Sequence, residues 1–175
     1  ATDRLSDGCD LYAGGHFQHG HWVLYLLALN LTPMVIFKAL WLLVLGLCAG
    51  SFINCWVYRL NHGLSVKQGR SFCPACRHQL AWFDNIPLLS FIWLRGHCRY
   101  CHSPIGIHYP SVELAAGILT VLIFFLSGNS LIIVYYLLIT YFLLAIFVSD
   151  WLYQTIPDQI VYPAVGLTLL FLVIS

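Results

Sequence analysis

Long apolar runs separated by short polar breaks dominate the amino-acid sequence. The runs cover residues 34–58, 112–126, 131–148 and 160–174. Because a helix needs about 20 apolar residues to cross a bilayer, the pattern predicts an all-α polytopic membrane protein with about four transmembrane helices. The fourth run holds only about 15 residues, so we expect the chain to be truncated within that helix.

The segment before the first run has a different character. Residues 1–21 are polar, rich in Gly and His, and lack the basic region of a cleavable signal peptide. Residues 22–31 are apolar but short, which indicates an interfacial segment or a lead-in to the first helix. His16, His19 and His21 could bind a metal ion, but the polar, Gly-rich composition favours a flexible, solvated tail.

The composition supports the membrane interpretation. The 175 residues are 60% hydrophobic and 9% charged, with a mean hydropathy of +0.81. A soluble domain carries about 25% charged residues, so membrane lipid is the expected environment. The formal net charge is only +1, which argues against nucleic acid as a partner.

Basic residues concentrate in the polar stretch 59–110, which the positive-inside rule places in the cytosol. We therefore expect 1–33 to be an outward-facing polar N-terminus with an interfacial segment, and 34–58 to be transmembrane helix 1. Residues 59–110 would form a cytosolic domain, and 111–175 would hold transmembrane helices 2–4. Six of the eight Lys and Arg residues lie in the polar stretch, namely Arg59, Lys67, Arg70, Arg77, Arg95 and Arg99.

The same stretch contains two CxxC pairs, formed by Cys73, Cys76, Cys98 and Cys101. Four thiolates at this spacing are typical of a structural, tetrahedral zinc site with no open coordination position. Unligated thiols or disulfides are the alternatives, and a reducing cytosol disfavours disulfides. The sequence therefore predicts a small zinc-ribbon-like insert between membrane helices.

Other potential ligands lie near these cysteines. His78, His97 and His102 could replace a sulfur, but four sulfurs suffice, so we interpret the histidines as surface residues. Cys48 and Cys55 lie in an apolar run and are expected to be small buried residues.

Two carboxylates bound the polar break after the third run. Asp158 precedes an apolar run and is expected to cap a helix start. Asp150 ends an apolar helix, where the dipole disfavours an anion. It is therefore either a functional carboxylate at membrane depth or one that simply reaches interfacial water.

Aspartic proteolysis needs two carboxyl groups that share a proton across a water molecule. The candidates for a second carboxyl group beside Asp150 are Asp84, Glu113 and Asp158. We expect Glu113 in the first turn of a helix, stabilised by the helix dipole.

Several motifs resemble those of type IV prepilin peptidases, in the same order and at compatible spacing over about residues 46–166. Residues 50–60 resemble the end of that family's first helix. The cytosolic cysteine domain is matched by the CxxC pairs, Trp82, residues 84–90, residues 95–98 and residues 109–113, and its first catalytic motif by residues 150–163.

The resemblance implies an aspartic endopeptidase of the bacterial inner membrane. It would cleave the basic leader from prepilins or type II secretion pseudopilins at the cytosolic face. Many members also methylate the new N-terminus with S-adenosylmethionine as the donor. The resemblance makes Asp150 catalytic, Asp158 structural or supportive, and the four cysteines ligands of a structural zinc ion.

One departure from the family pattern affects activity. Family members carry a second catalytic aspartate in a downstream GxGD motif, which this sequence lacks. We therefore expect the chain alone to be inactive and a C-terminal complementing segment to restore cleavage. A basic residue in many members is replaced here by His97, which leaves methylation open.

Two other functions are compatible with parts of the pattern. A non-catalytic, zinc-bearing membrane adaptor would explain the insert and the missing aspartate, but not a carboxylate at Asp150. A channel or transporter subunit would need more polar residues in its apolar runs than this sequence has.

Overall fold

A computed structural model describes residues 33–66, 69–127 and 130–174. Contacts divide the chain into residues 1–37 and 38–175; of the first unit, only the helical residues 33–37 are described. The predicted lead-in at 22–31 and the histidine cluster therefore lie outside the described residues.

The described chain is helical, and no strand is present within those three ranges. Two isolated β-bridges join Phe72 to Gln79 and His97 to Pro104. The predicted helical membrane fold with a cysteine-bearing insert is confirmed. In chain order the helices are α1 (Pro33–Asn61), a 3₁₀ turn (Trp82–Asn85), α2 (Leu89–Trp93), α3 (His108–Leu126), α4 (Ser130–Tyr153) and α5 (Asp158–Ile174).

Three of the described helices, α1, α3 and α4, are long and apolar enough to cross a membrane. The fourth predicted span is a shorter apolar helix, α5. Helix α4 also runs through Asp150 to Tyr153, into the predicted polar break. The polar side chain of Ser149 is accommodated inside the protein, so the helix does not have to end there.

Two glycines allow α1 to approach α3 closely. A Cβ atom on Gly46 would lie 2.5 Å from Thr120 Oγ1, and one on Gly50 would lie 2.6 Å from the Cα atom of Glu113. Only glycine fits at such a crossing, and the spacing of the pair is the small-xxx-small pattern of membrane helix interfaces. Helix α3 is fixed to α4 by a 2.7 Å hydrogen bond between the Thr120 and Tyr141 hydroxyls.

This approach decides which face of α1 is buried. The prediction that Cys48 is a small buried residue is wrong, because it is exposed; Cys55 is half-buried. Both lie off the stripe that Gly46 and Gly50 begin and that continues toward the end of the helix.

Four of the described helices, α1, α3, α4 and α5, share a buried core near the end of α1. Helix α1 contributes two residues, α3 one, α4 two and α5 one. This packing supports the polar turn between α4 and α5. The core residues are Ile53, Val57, Val112, Ala145, Val148 and Ile160.

Candidate functional site

The two CxxC segments fold into nearly identical turns. In the first, the Cys73 N–H donates to the His78 carbonyl (3.0 Å) and the Arg77 N–H to the Cys73 carbonyl (2.8 Å). Arg77 adopts a left-handed conformation, with φ of 58°. These backbone hydrogen bonds close the first CxxC segment into a tight turn.

The second turn repeats the first at the corresponding positions. The Cys98 N–H donates to the Ser103 carbonyl (2.8 Å), and the His102 N–H donates to the Cys98 carbonyl (3.0 Å). His102 has φ of 57°. Non-glycine residues rarely adopt this region, so its use twice, each time directly after the second cysteine of a pair, is a specific local geometry.

The two turns bring four sulfur atoms together. The sulfurs of Cys73, Cys76, Cys98 and Cys101 lie within 4.8 Å of one another, and that of Cys73 is 3.9 Å from that of Cys101. Tetrahedral zinc with Zn–S bonds of about 2.3 Å separates its sulfurs by about 3.8 Å. The geometry therefore fits a metal ion held by four thiolates.

The thiol chemistry also favours a cation. Hydrogen bonds from Ser103 lower the pKa of the Cys101 thiol to about 6. At Cys76, a backbone hydrogen bond from His78 acts to lower the pKa, but desolvation and the Cys101 sulfur outweigh it and raise the pKa to about 11. One thiolate thus opposes ionisation of the next, and a bound divalent cation would remove this penalty.

The three neighbouring histidines are exposed. The His78 ring lies 3.7 Å from the Tyr100 ring, centroid to centroid, and the His97 Nδ1 atom lies 2.7 Å from the Arg95 carbonyl. Within the described ranges, the group of side chains placed to hold a metal consists of the four cysteines.

Asp84, one of the candidate second carboxylates, has a structural environment. Its buried carboxylate forms a 2.9 Å ion pair with the Arg99 Nε atom and accepts a 3.3 Å hydrogen bond from the Ala81 N–H. Arg99 lies between Cys98 and Cys101 in the sequence, so this pair ties the 3₁₀ turn to the second CxxC turn.

Glu113 does not lie in the first turn of its helix, and that prediction is wrong. Helix α3 begins at His108 and has no acidic residue in its first turn. The Glu113 carboxylate instead accepts a 2.8 Å hydrogen bond from the Leu88 N–H. A contact in the insert, and not the helix dipole alone, satisfies this buried acid.

Arg59, counted in the sequence as a basic marker of topology, is 5% exposed. Its guanidinium donates to the carbonyls of Ser65 (2.6 Å), Gly69 (3.0 Å) and Arg70 (3.0 Å). The arginine therefore closes the loop that leads from α1 toward the first CxxC turn.

Asp150 occupies the last turn of α4, and its side chain is exposed. No hydrogen bond or ion pair of its carboxylate is found within the described part of the chain. Asp158 is the first residue of α5 and is also exposed. Asp158 therefore occupies the predicted helix start, and Asp150 is accessible to water or to a ligand.

A ring of hydrogen bonds fixes the turn that carries Asp150. The Asn61 Nδ2 group donates to Ser149 Oγ (3.0 Å), and Ser149 Oγ donates to the Thr155 carbonyl (2.8 Å). The Thr155 hydroxyl donates back to Asn61 Oδ1. Ser149 is fully buried, so the end of α1 holds both sides of the turn. These three residues were not predicted from the sequence, because polar residues at the ends of apolar runs carry no specific signal of a contact with each other.

A separate cavity of about 270 Å³ lies among α1, the CxxC turns and the start of α3. Its lining includes Asn54, whose Nδ2 group donates to the Tyr109 carbonyl (3.0 Å). The Asn54 Oδ1 atom is buried without a partner among the described residues. Asp150 does not line this cavity, so the exposed carboxylate and the cavity are distinct features.

Comparison with known proteins supplies the family context for this geometry. Residues 44–127 match the Bacterial Peptidase A24 N-terminal domain. Together with the relatives described next, this match confirms the resemblance to type IV prepilin peptidases. The A24 match includes both CxxC turns, the Asp84–Arg99 pair and the Glu113 contact, but it ends before Asp150.

Individual relatives extend the similarity further along the chain. The chain is 52% identical over 81 residues to the prepilin leader peptidase/N-methyltransferase of Myxococcus xanthus, covering 46% of this chain and 24% of that protein. It is 39% identical over 132 residues to the protein of the same name from Klebsiella pneumoniae, covering 72% and 58%. The chain is 34% identical over 136 residues to the Vibrio cholerae protein of that name, and the match covers 73% of this chain and 54% of that protein.

The aligned part of the chain thus spans from a quarter to somewhat over half of the length of these relatives. No solved structure matches the chain.

Proposed function

We propose that this chain carries part of a membrane aspartic endopeptidase that removes the short basic leader from type IV prepilins or pseudopilins. Its similarity to proteins named prepilin leader peptidase/N-methyltransferase supports the substrate class. The observation that carries the mechanism is an exposed carboxylate, Asp150, in the last turn of an apolar helix long enough to span a membrane.

Asp150 would act on water at the membrane boundary. A prepilin presents a basic leader followed by an apolar helix, which would pack beside the enzyme's helices and bring the cleavage junction to the ends of the spans. Asp150 would accept a proton from a water molecule while the oxygen of that water attacks the scissile carbonyl. A second, protonated carboxyl group would polarise that carbonyl, and the C–N bond would then break with proton transfer to the leaving amine.

The second carboxyl group is expected from outside the described residues. Asp84 is paired with Arg99, and Glu113 accepts from the Leu88 N–H. Asp158 begins α5, where a carboxylate stabilises the free N–H groups of the first turn. Each of these acids thus has a structural role that accounts for its position, and this chain alone would not cleave.

The four-cysteine site would hold a structural zinc ion that orders the insert. After cleavage, the whole protein would transfer a methyl group from S-adenosylmethionine to the new N-terminal amine, as the second half of the relatives' name implies. We assign the protein to the bacterial inner membrane, with the insert in the cytosol, where the leader is cleaved, and the N-terminus outside. The basic residues of the insert support this orientation.

The decisive experiment is cleavage of a model prepilin in liposomes. One reaction contains this chain alone, a second adds a downstream segment bearing GxGD, and a third contains the same pair with Asp150→Asn. We expect cleavage only in the second reaction.

Each other result has a definite meaning. Cleavage by this chain alone would show that a second catalytic group lies within it. Cleavage by the Asp150→Asn pair would remove Asp150 from the mechanism. No cleavage in any reaction, with zinc bound and the helices folded, would favour a zinc-bearing adaptor.

A further inference from the structure

The insert exposes an unusually apolar face. Trp93 is 84% exposed and Ile92 is 70% exposed, and both belong to α2. An exposed apolar cluster of this kind marks an interaction site, because scattered apolar residues are normal on a surface but contiguous ones are costly in water. We name as the apolar face Trp82, Leu89, Ile92, Trp93 and Ile107, all of them exposed.

A hydrogen bond sets the depth of α2 relative to the helices. The Leu88 N–H, directly before α2, donates to the Glu113 carboxylate of α3 (2.8 Å). Helix α3 has 19 residues and is therefore about 28 Å long, so all of it is needed to cross a hydrocarbon core of about 30 Å. Glu113 lies about 7.5 Å along the helix from His108. This places the start of α2 within about 10 Å of that end of the span, which is the depth at which interfacial apolar helices lie.

The backbone makes this attachment rigid. Leu88 has φ of 60° and ψ of −47°, and the Leu89 N–H donates to the Pro87 carbonyl (2.6 Å). This tight turn is rare for a residue with a side chain. The Leu88 N–H donates to the Glu113 carboxylate. This bond therefore fixes the direction in which α2 begins.

The side chains on the apolar face suit the interface of a bilayer. Tryptophan is enriched at the level of the lipid headgroups, where its ring is apolar and its N–H is hydrated. Arg95 is exposed and follows α2 after one residue, and a basic side chain there is attracted to anionic lipid. Ile107 is also exposed and directly precedes α3, so it lies at the end of the span that is nearer to Glu113.

We propose that the apolar face lies in the headgroup region of the same bilayer that the helices cross, with lipid as its occupant. The insert would then rest on the membrane through α2, with its CxxC turns held at a fixed height. This inference concerns lipid contact and does not depend on the proposed peptidase activity.

Depth-dependent fluorescence quenching tests this contact. The full chain is reconstituted in nanodiscs of phosphatidylethanolamine and phosphatidylglycerol with Trp93 retained and the other five of its six tryptophans changed to Phe. The lipids carry a nitroxide quencher either near the headgroup or near the acyl end. We expect the shallow quencher to reduce emission about twofold more than the deep one, and aqueous iodide to have little effect.

A matched reporter controls for exposure. In the same background, Trp93→Phe is combined with Gln79→Trp, because Gln79 is exposed beside the first CxxC turn and outside the apolar face. Iodide should quench this reporter and lipid nitroxide should not. Zinc content and helical circular dichroism confirm that both variants fold.

Two outcomes would overturn the proposal. Equal quenching of both reporters by iodide would place the apolar face in water. A Trp93 reporter quenched by neither agent would show that protein, such as another segment or a second copy of the chain, covers the face. If the multiple replacement does not fold, Trp93→Phe in the otherwise native chain must still reduce the fraction of emission that shallow nitroxide quenches, or the proposal fails.

Discussion

At the scale of single residues, the acids of the described chain differ in what surrounds them. Asp84 and Glu113 are buried and accept hydrogen bonds from Arg99 and Leu88. Asp150 is exposed beside the buried hydroxyl of Ser149. Asp84 and Glu113 help to hold the insert together. Asp150 and Asp158 are exposed, and Asp150, which does not begin a helix, is accessible to a substrate.

The substitution Asp150→Asn removes the proposed proton acceptor and changes little else. In the complemented protein we expect prepilin cleavage to fall by at least about a hundredfold, which is the scale of general-base contributions. Initial rates measured by gel shift give the effect. Asp158→Asn is the matched control, because asparagine also caps a helix start, and it should keep activity within several-fold. An equal loss in both variants would contradict the division of roles.

The substitution Arg59→Met removes the hydrogen bonds that the guanidinium donates to the carbonyls of Ser65, Gly69 and Arg70, while roughly keeping the length of the side chain. Hydrogen bonds from a charged donor contribute about 1.5–3 kcal/mol each when buried, and less where water can replace them. We expect faster limited proteolysis between residues 62 and 72, with the helix content unchanged. Arg70→Met is the control, since Arg70 is exposed and donates a single 3.4 Å bond. Identical proteolysis of both variants would argue against the role of Arg59 in closing this loop.

At the scale of elements, the two CxxC turns act as matching halves of one site. Each turn forms its own backbone hydrogen bonds, but the four-sulfur cluster exists only when both turns meet. Loss of a cysteine from either turn should therefore weaken metal binding by the whole four-sulfur site.

Cys76→Ser and Cys101→Ser should each reduce bound zinc to background, because a hydroxyl is a poor replacement for a thiolate ligand. Zinc is measured by atomic emission on detergent-purified protein. Cys48→Ser should retain zinc, since Cys48 lies exposed on α1 and far along the sequence from the turns. Full zinc retention in Cys101→Ser would rule out a four-thiolate site.

The crossing of α1 and α3 is sensitive to the size of one residue. In Gly50→Val, added atoms would meet the Glu113 Cα and the Val112 carbonyl, and overpacking of this kind costs about 1–3 kcal/mol. We expect a lower thermal unfolding midpoint in detergent. Gly166→Val is the matched control, because nothing lies within 4 Å of a Cβ atom there. An equal loss at both positions would point to helix propensity and not to packing.

The sequence predicted the features that depend on local pattern. Hydropathy marked the spans, because each span is one continuous apolar run. The CxxC spacing within each pair marked the cysteine cluster, because two such pairs are a known metal-ligand pattern even when the pairs lie apart in the chain. The Glu113–Leu88 bond and the ring through Asn61 and Ser149 join residues 25 and 88 positions apart. No spacing rule connects such residues, so the roles of Glu113 and the extent of α4 required the structure.

At the scale of the whole molecule, the helix core and the cysteine cluster are built from separate residues. The core residues all belong to α1, α3, α4 and α5, and the four sulfurs all belong to the insert. The two parts are joined through Arg59, through Asn54 and through the Glu113 contact.

Removal of zinc should therefore affect one part more than the other. After treatment with a strong chelator, we expect helical circular dichroism to be retained while proteolysis within residues 71–106 accelerates at least about tenfold. Re-addition of zinc should restore protection. A collapse of helix content on chelation would show that the core depends on the metal.

The sequence separation of the contacts also implies an order of assembly during synthesis. Arg59 binds carbonyls 6 to 11 residues ahead, and each CxxC turn closes locally, so these parts need little of the chain. The crossing at Gly50 and Glu113 and the bond from Asn61 to Ser149 need spans that are made later. Local contacts form fastest, so a nascent chain can take up its metal before α3 exists. Zinc supply at the ribosome, and not only after insertion, would then govern how much of the protein carries an ordered insert.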